Sequence, residues 1–462
     1  MVQKVGTPNI FVGVEVGFDN FGDIARFVEE VKDYVNLIVI SSLNITTNST
    51  RLIMVCDYLY SKGLYFIPFM FFTRHVDSVE FFHTAKEKWG ERFLGVYLSD
   101  EPGGRQFDTP DHRLVFSADN YTDAASKYVQ ALGFQIERFL TKCGRPNMKV
   151  FTADYALYWF DFKAGYDVVL AEFGWNFSRQ LHIALCRGAA KTQNKEWGVI
   201  ITWTYRKPPY IEDAEELYRD MVLAYQNGAK YIIVFNYPTN ITQYGILTRE
   251  HLNSLKKFWN YQRSFRQPVT TSDTAYVLPK DYGYGFRGPR DKIWGLWDSD
   301  ELSSKVWNEA NTLLASYGAK LDMVYDIEEF SAEYPYKCLI FWNDSRAMNK
   351  IITKAIFSML ILMFFSLLQL VDIKAAKAGT EATAVFRSTG GLWWFEQSGW
   401  PNEDDVSYEV SIYIYCLFNF PPYDYGCYAN SDAVTKDNIL GQIEEYNYYC
   451  DYATFFIFAN GV

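Results

Sequence analysis

The acids in this chain best placed for chemistry stand at the ends of apolar runs of strand length. Glu15 lies near the end of the run 10–16, Asp100 and Glu101 follow the run 93–99, Asp154 ends 149–154, and Glu172 sits in 168–173. Two carboxyls that reach one bond can divide the work of cleaving it. One protonates a leaving oxygen while the other attacks or activates water.

Side chains alternate along a strand, so the neighbours of each acid indicate which face it occupies. Val12, Val14 and Val16 form one apolar face, leaving Phe11, Gly13 and Glu15 on the other. In the fourth run Leu94, Val96 and Leu98 pack outward, which turns Gly95, Tyr97, Ser99 and Glu101 inward if the alternation continues to Glu101. The sixth run leaves two phases open, Leu170-Glu172-Gly174 and Ala171-Phe173-Trp175. Glu101 is therefore the leading acid and Glu172 its leading partner, with Asp154 and Glu15 behind. Glu101 is expected to hold a proton beside Tyr97, and Glu172 to stay ionised in a more polar setting. The candidate binding residues are Tyr97, Asp100, Tyr155, Trp159, Trp175, Trp203, Tyr205 and Tyr237. Most fall at or just past strand ends, and flat rings of this kind stack on sugar faces while their polar edges bond hydroxyls.

The elements that must hold these residues are legible as alternating strand-length and helix-length segments, the pattern of repeated βα units. Strands are expected at 10–16, 36–41, 64–72, 93–99, 149–154, 168–173, 198–205 and 230–236, with helices between them except for a poorly defined crossover from the fifth to the sixth. Eight such units within residues 8–266 fit a closed (β/α)8 barrel of about 250 residues, whose working groups lie at the carboxyl ends of the strands. An open doubly wound sheet is the alternative. It is disfavoured because Gly13-Val14-Glu15-Val16-Gly17 lacks the phosphate-binding glycine turn.

Ser99-Asp100-Glu101-Pro102-Gly103-Gly104 resembles the end of strand 4 in retaining glycoside hydrolases of the large TIM-barrel clan. There an Asn-Glu, commonly followed by Pro, supplies the general acid/base. The resemblance implies that role for Glu101, with Asp100 standing where the clan has Asn. It breaks at strand 7, where the clan carries its nucleophile, because Ile200-Ile201-Thr202-Trp203-Thr204-Tyr205 contains no acid. The expected function is carboxylate-catalysed hydrolysis of a carbohydrate. The alternative is a noncatalytic barrel, derived from such an enzyme, that binds carbohydrate or serves as a scaffold.

Behind the barrel, residues 267–345 read as a small α/β domain, with apolar runs at 275–278 and 293–297, a helix at 301–317 and strands at 321–325 and 338–342. No signal peptide is expected at the start of the chain. Instead, Arg346, Lys350 and Lys354 precede an uncharged run, Ala355 to Val371, and Ala376-Lys377-Ala378 follows. A basic flank, an apolar run and a small-residue exit mark a secretory signal or a short membrane anchor. Residues 348–378 are assigned to it, as though a second exported protein were fused behind the first. The tail, 379–462, holds two basic residues against twelve acidic ones, so most of the chain's net charge of −11 sits there. A helix at 436–446, a strand at 453–459 and the exit Asn460-Gly461 resemble the opening of caspase-like peptidases. Those end the strand in His-Gly, so no peptidase role carries over, and the tail reads as an incomplete domain. The chain is expected to be membrane-associated through 355–371 or secreted, with a cytoplasmic barrel as the alternative. Six Asn-x-Ser/Thr triplets, at Asn44, Asn48, Asn120, Asn176, Asn240 and Asn343, point toward export.

Composition narrows the partners. An acidic surface has the wrong sign for tracking phosphates, so nucleic acid is not expected. The five histidines show no metal spacing, and Tyr237-Pro238-Thr239-Asn240 stands where a glycine-rich phosphate cradle would follow strand 8. No cofactor or metal is expected. Cys56, Cys143, Cys186 and Cys338 are expected to be free, buried thiols.

Overall fold

The computed structural model describes residues 8–71, 79–239, 242–264, 271–327 and 334–343, and the backbone of five strands between 382 and 461. The first part runs β1 (Phe11–Val16), α1 (Phe21–Val31), β2 (Leu37–Ile40), α2 (Leu43–Thr46), α3 (Ser49–Ser61), β3 (Tyr65–Met70), α4 (Val79–Trp89), β4 (Val96–Leu98), α5 (Pro102–Asp108) and α6 (Tyr121–Lys142). It continues with β5 (Val150–Asp154), α7 (Tyr158–Ala164), β6 (Val168–Phe173), α8 (Arg179–Thr192), β7 (Glu196–Ile201), α9 (Ala214–Gln226), β8 (Tyr231–Val234) and α10 (Arg249–Ser264). The eight strands pair in parallel and in sequence order, and β8 closes on β1 with Tyr231 opposite Phe11.

Parallel strands covered on both faces need apolar residues in both phases, which is why these runs are almost continuously hydrophobic. One phase fills the barrel interior with Phe11, Leu37, Val39, Tyr65, Ile67, Tyr97, Phe151, Ala153, Val168, Leu170, Ile200, Tyr231 and Ile233. Phe11 stacks on Tyr231 at 5.0 Å, and Phe151 meets the same ring edge-on at 5.2 Å, so aromatic rings fill the lower lumen. The other phase packs on the helices. Several helices start where an Asn or Asp accepts a backbone N–H: Asn20 from Asp23, Asn48 from Arg51, Asn120 from Asp123, and Asp213 from Glu215 and Glu216. Each such cap contributes about 0.5–2 kcal/mol. The ill-defined crossover from strand 5 to strand 6 is the short helix α7.

The second sheet comprises β9 (Thr274–Leu278), β10 (Leu321–Tyr325) and β11 (Cys338–Phe341), all parallel in the order β10-β9-β11, with α11 (Glu301–Tyr317) between β9 and β10. It packs against α8. There a side chain at Gly188 would place its Cβ 2.3 Å from the Met323 carbonyl oxygen. Beside it the buried Arg187 bonds Asp322 Oδ1 at 2.6 Å and Asn227 Oδ1 at 2.8 Å. Barrel and sheet lie in one compact unit, Met1–Leu360.

One apolar run beside this sheet is not a strand, and one expectation fails. Residues 293–297 form a turn, because Trp294 and Gly295 both take left-handed backbone (φ 55 and 65) and the Trp294 ring lies 4.6 Å from Phe160 in the core. Cys338 is exposed, since it opens the edge strand β11, while Cys56, Cys143 and Cys186 are buried and all four are free.

The unit Ile361–Val462 contains β12 (Ala382–Thr389), β13 (Leu392–Ser398), β14 (Tyr408–Cys416), β15 (Tyr425–Ala429) and β16 (Ala453–Gly461). They form an antiparallel sheet in the order β13-β12-β16-β14-β15. The apolar run 355–371 and the helix expected at 436–446 lie outside the described residues. Among the described residues no helix is long and apolar enough to cross a membrane.

Candidate active site

Strand β4 stops at Leu98, and the chain then turns through left-handed backbone at Ser99 (φ 60) and Glu101 (φ 47). The simple alternation that pointed Glu101 inward therefore ends before reaching it. Glu101 arrives by a tight turn in which its N–H donates to the Ala153 carbonyl on β5 at 3.0 Å. Pro102 then starts α5, a position that suits a residue without an N–H.

Asp154 fastens this turn. Its Oδ2 accepts from the Gly103 N–H at 2.5 Å, and its Oδ1 accepts from Gly104, Tyr155 and Ala156 at 2.9, 2.7 and 3.0 Å. The two glycines are required here. A Cβ at Gly103 would lie 2.5 Å from the Ala156 carbonyl oxygen, and one at Gly104 would lie 2.3 Å from the Tyr155 ring. Asp154 follows Ala153, which faces the lumen, so its own side chain faces away, toward Asp161 on α7. Asp154, a candidate acid at the end of strand 5, is thus engaged by main-chain amides. Burial raises Asp154 to about 7 against the pull of those amides, and raises Asp161 well above its usual value. Tyr128 donates to Asp161 Oδ1 at 2.7 Å, so a chain of polar groups runs from α6 to the Glu101 turn.

Glu172 shares its phase with the lumen residue Leu170, which settles the open choice on strand 6. Its carboxyl lies close to that of Glu101. Burial first, and then neighbouring carboxylates, lift both: Glu101 goes to about 8 and Glu172 well above the carboxylate range. Burial raises Glu172 as it raises Glu101, so the two carboxyls share one buried setting rather than a polar and an apolar one. Like charges in contact cannot both ionise cheaply, so the pair holds a shared proton at neutral pH.

Glu15 joins them from β1, raised to about 8 by burial and by Asp100 and drawn back by a hydrogen bond to Ser41 at the end of β2. Burial also raises Asp100, which receives the Tyr97 hydroxyl. Arg105 on α5 bonds the Asp100 carbonyl at 2.7 Å through Nε and Ser99 Oγ at 3.0 Å. Its positive charge lowers both Asp100 and Glu101. Neither Ser41 nor Arg105 was singled out from sequence. Arg105 had a usable signal, lying four residues past Glu101 at the start of a helix.

The aromatic residues divide. Trp203 lies among Phe235, Tyr210 and Tyr237 at 4.9, 5.4 and 6.1 Å, and Tyr205 and Tyr237 are about half exposed at 47% and 50%. Trp175, half-buried with left-handed backbone (φ 47), donates its N–H to the Trp203 carbonyl at 2.7 Å. These rings sit past β6, β7 and β8. Tyr155 is buried, bonds Asp108 Oδ2 at 2.7 Å and stacks on Phe177 at 5.9 Å. Trp159 is not at the mouth: it lies on α7 and packs 5.7 Å from Tyr325 of the second sheet. Tyr158 likewise turns into the core to meet His182 Nδ1 at 2.7 Å. In the lumen phase of β7, Thr202 follows Ile200, so this end carries no acid. Among the described residues no group of His, Cys, Asp and Glu is placed to hold a metal ion.

No family model and no curated protein matches the sequence. Solved structures do. A GH5_18 protein from Streptomyces cattleya, solved in complex with GlcNAc, superposes with a TM-score of 0.50 at 12% identity, covering 73% of this chain and 100% of its own. The chain resembles TIM-barrel glycoside hydrolases. Alpha-L-fucosidase isoenzyme 2 from Paenibacillus thiaminolyticus (TM-score 0.45, 12% identity, 71% of this chain and 59% of that one) also matches. So does the Bacillus subtilis mannanase BCman (0.34, 11%, 54% and 85%). At such identities the likeness is one of fold, and the chemistry rests on the residues themselves.

Proposed function

We propose that the barrel hydrolyses a glycosidic bond, with Glu101 and Glu172 as its two carboxyls. The observation that carries this reading is the close approach of the two carboxyls at the lumen ends of β4 and β6, where a shared proton keeps one able to give H⁺ and the other able to bear charge. Glu101 protonates the leaving oxygen and Glu172 attacks the anomeric carbon. Water then enters, gives a proton back to Glu101 and releases the sugar from Glu172. Carboxyls in contact stand nearer the spacing of about 5 Å that goes with retention than the ~6.5–9.5 Å that admits a water for inversion. Trp175, Trp203, Tyr205 and Tyr237 supply stacking faces, and Asp100 and Tyr97 supply polar contacts, so the partner is a carbohydrate.

A glycan screen followed by substitution tests this. Glu101→Gln keeps shape but cannot give the proton, so turnover of glycosides with poor leaving groups should vanish while activated ones survive. Glu172→Gln should lose both. If Glu172→Gln spares activated substrates instead, the two roles are reversed, and if natural substrates turn over unchanged in Glu101→Gln, the assignment fails. Binding without turnover across the screen favours the noncatalytic carbohydrate-binding barrel, a reading supported by Thr202 and Trp203 where strand 7 would offer an acid.

A further inference from the structure

A cavity lies outside the barrel, where the three-stranded sheet meets helices α6, α7 and α8. Its volume of 440 Å³ falls in the range of about 300–1,000 Å³ usual for small-molecule sites. Residues just past β9 and β10 form one wall, and α/β sheets bind ligands at these carboxyl ends of parallel strands.

Asp281 is the decisive group. It lines the cavity at 8% exposure, and its carboxylate has no hydrogen bond or ion pair to any of the described residues. Its main chain is held firmly in a left-handed conformation (φ 54), with the carbonyl accepting from Trp294 Nε1 at 2.9 Å and from the Gly283 N–H at 3.0 Å. A carboxylate that receives no donor from the chain and opens onto a cavity takes its donors from what fills that cavity, water or a ligand.

The rest of the lining indicates what kind of molecule brings them. Lys163 and Lys280 balance Asp281 and Asp326, while Gln130 offers both a donor and an acceptor and Gln193, whose Nε2 donates to the Trp159 carbonyl at 3.0 Å, offers its carbonyl oxygen. An anion would face two carboxylates and a cation two ammonium groups. A neutral ligand rich in hydroxyls meets neither, and two adjacent hydroxyls can span both oxygens of one carboxylate. Trp159, displaced from the mouth, gives an apolar side to the same cavity.

We propose that this cavity binds a saccharide unit through hydroxyls donated to Asp281, as a second carbohydrate site apart from the barrel mouth. It requires no turnover and stands independently of the hydrolytic reading.

The test is calorimetric titration of the full chain with cellobiose, mannobiose and N,N′-diacetylchitobiose, on wild type, Asp281→Asn and Trp203→Ala. With both sites real, a sugar binds in two steps, one weakened in Asp281→Asn by about tenfold or more and the other only in Trp203→Ala. A single step lost in Asp281→Asn and untouched by Trp203→Ala sustains this cavity and tells against the mouth. A single step lost only in Trp203→Ala overturns the cavity proposal and leaves the mouth reading standing. A failure of all three sugars to bind at about 10 mM in protein that is folded also overturns the cavity proposal. Asp281→Asn should melt no lower than wild type, because it removes a partnerless charge. A marked fall in melting temperature would mean that the carboxylate has a structural role instead, and would also overturn the proposal.

Discussion

Replacing Glu15 with glutamine should make this protein more stable in alkaline solution and leave it unchanged in acid. Burial, with Asp100 adding to it, lifts Glu15 from 4.5 to about 8. Between those values the folded chain holds a proton that the unfolded chain has released, so stability falls as pH rises through that window and the full penalty is present above it. At about 1.4 kcal/mol for each pH unit the loss is at most about 5 kcal/mol, an upper bound because water entering at the mouth softens the burial. Glutamine has nearly the same shape, can keep the bond to Ser41 and has no charge to bury. Guanidinium unfolding followed by tryptophan fluorescence, at about pH 4.5 and about pH 9, gives the comparison. The curves should coincide at the lower pH, and the variant should gain a few kcal/mol at the higher. Equal curves at both pH values, or a variant weaker at high pH, would refute the claim that Glu15 is held protonated by its surroundings.

Gly104→Ala should lower stability by about 1–3 kcal/mol, seen as a fall in melting temperature, because the new Cβ would lie 2.3 Å from the Tyr155 ring. Arg187→Met should cost about 3–5 kcal/mol by leaving Asp322 charged and buried at the seam with the second sheet. Adding Asp322→Leu should recover much of that loss in the same denaturant assay. A chain ending at Asp344 should unfold cooperatively and stay in solution, while the full chain should float with lipid vesicles through 355–371. If the shorter chain aggregates and the full chain does not float, that run belongs to the core.

The eight barrel strands and the inward phase of strand 1 were legible in the sequence because they depend on period and burial, which any strand covered on both faces must satisfy. Glu101 was legible for its position at the end of strand 4. The route by which it enters the site was not, since left-handed turns at Ser99 and Glu101 follow no alternation and are held by Asp154, more than fifty residues away along the chain. Both phases of strand 6 looked equally apolar, and only closure of the barrel brought Glu172 against Glu101. Trp159 illustrates the same limit: a large ring near a strand end reads as a binding residue until a second sheet takes it into its packing. The protonation of the site also waited on tertiary structure. A glutamate's composition and neighbours in sequence say nothing of how much water surrounds it, and burial is the largest cause of the raised values at Glu15, Glu101 and Glu172.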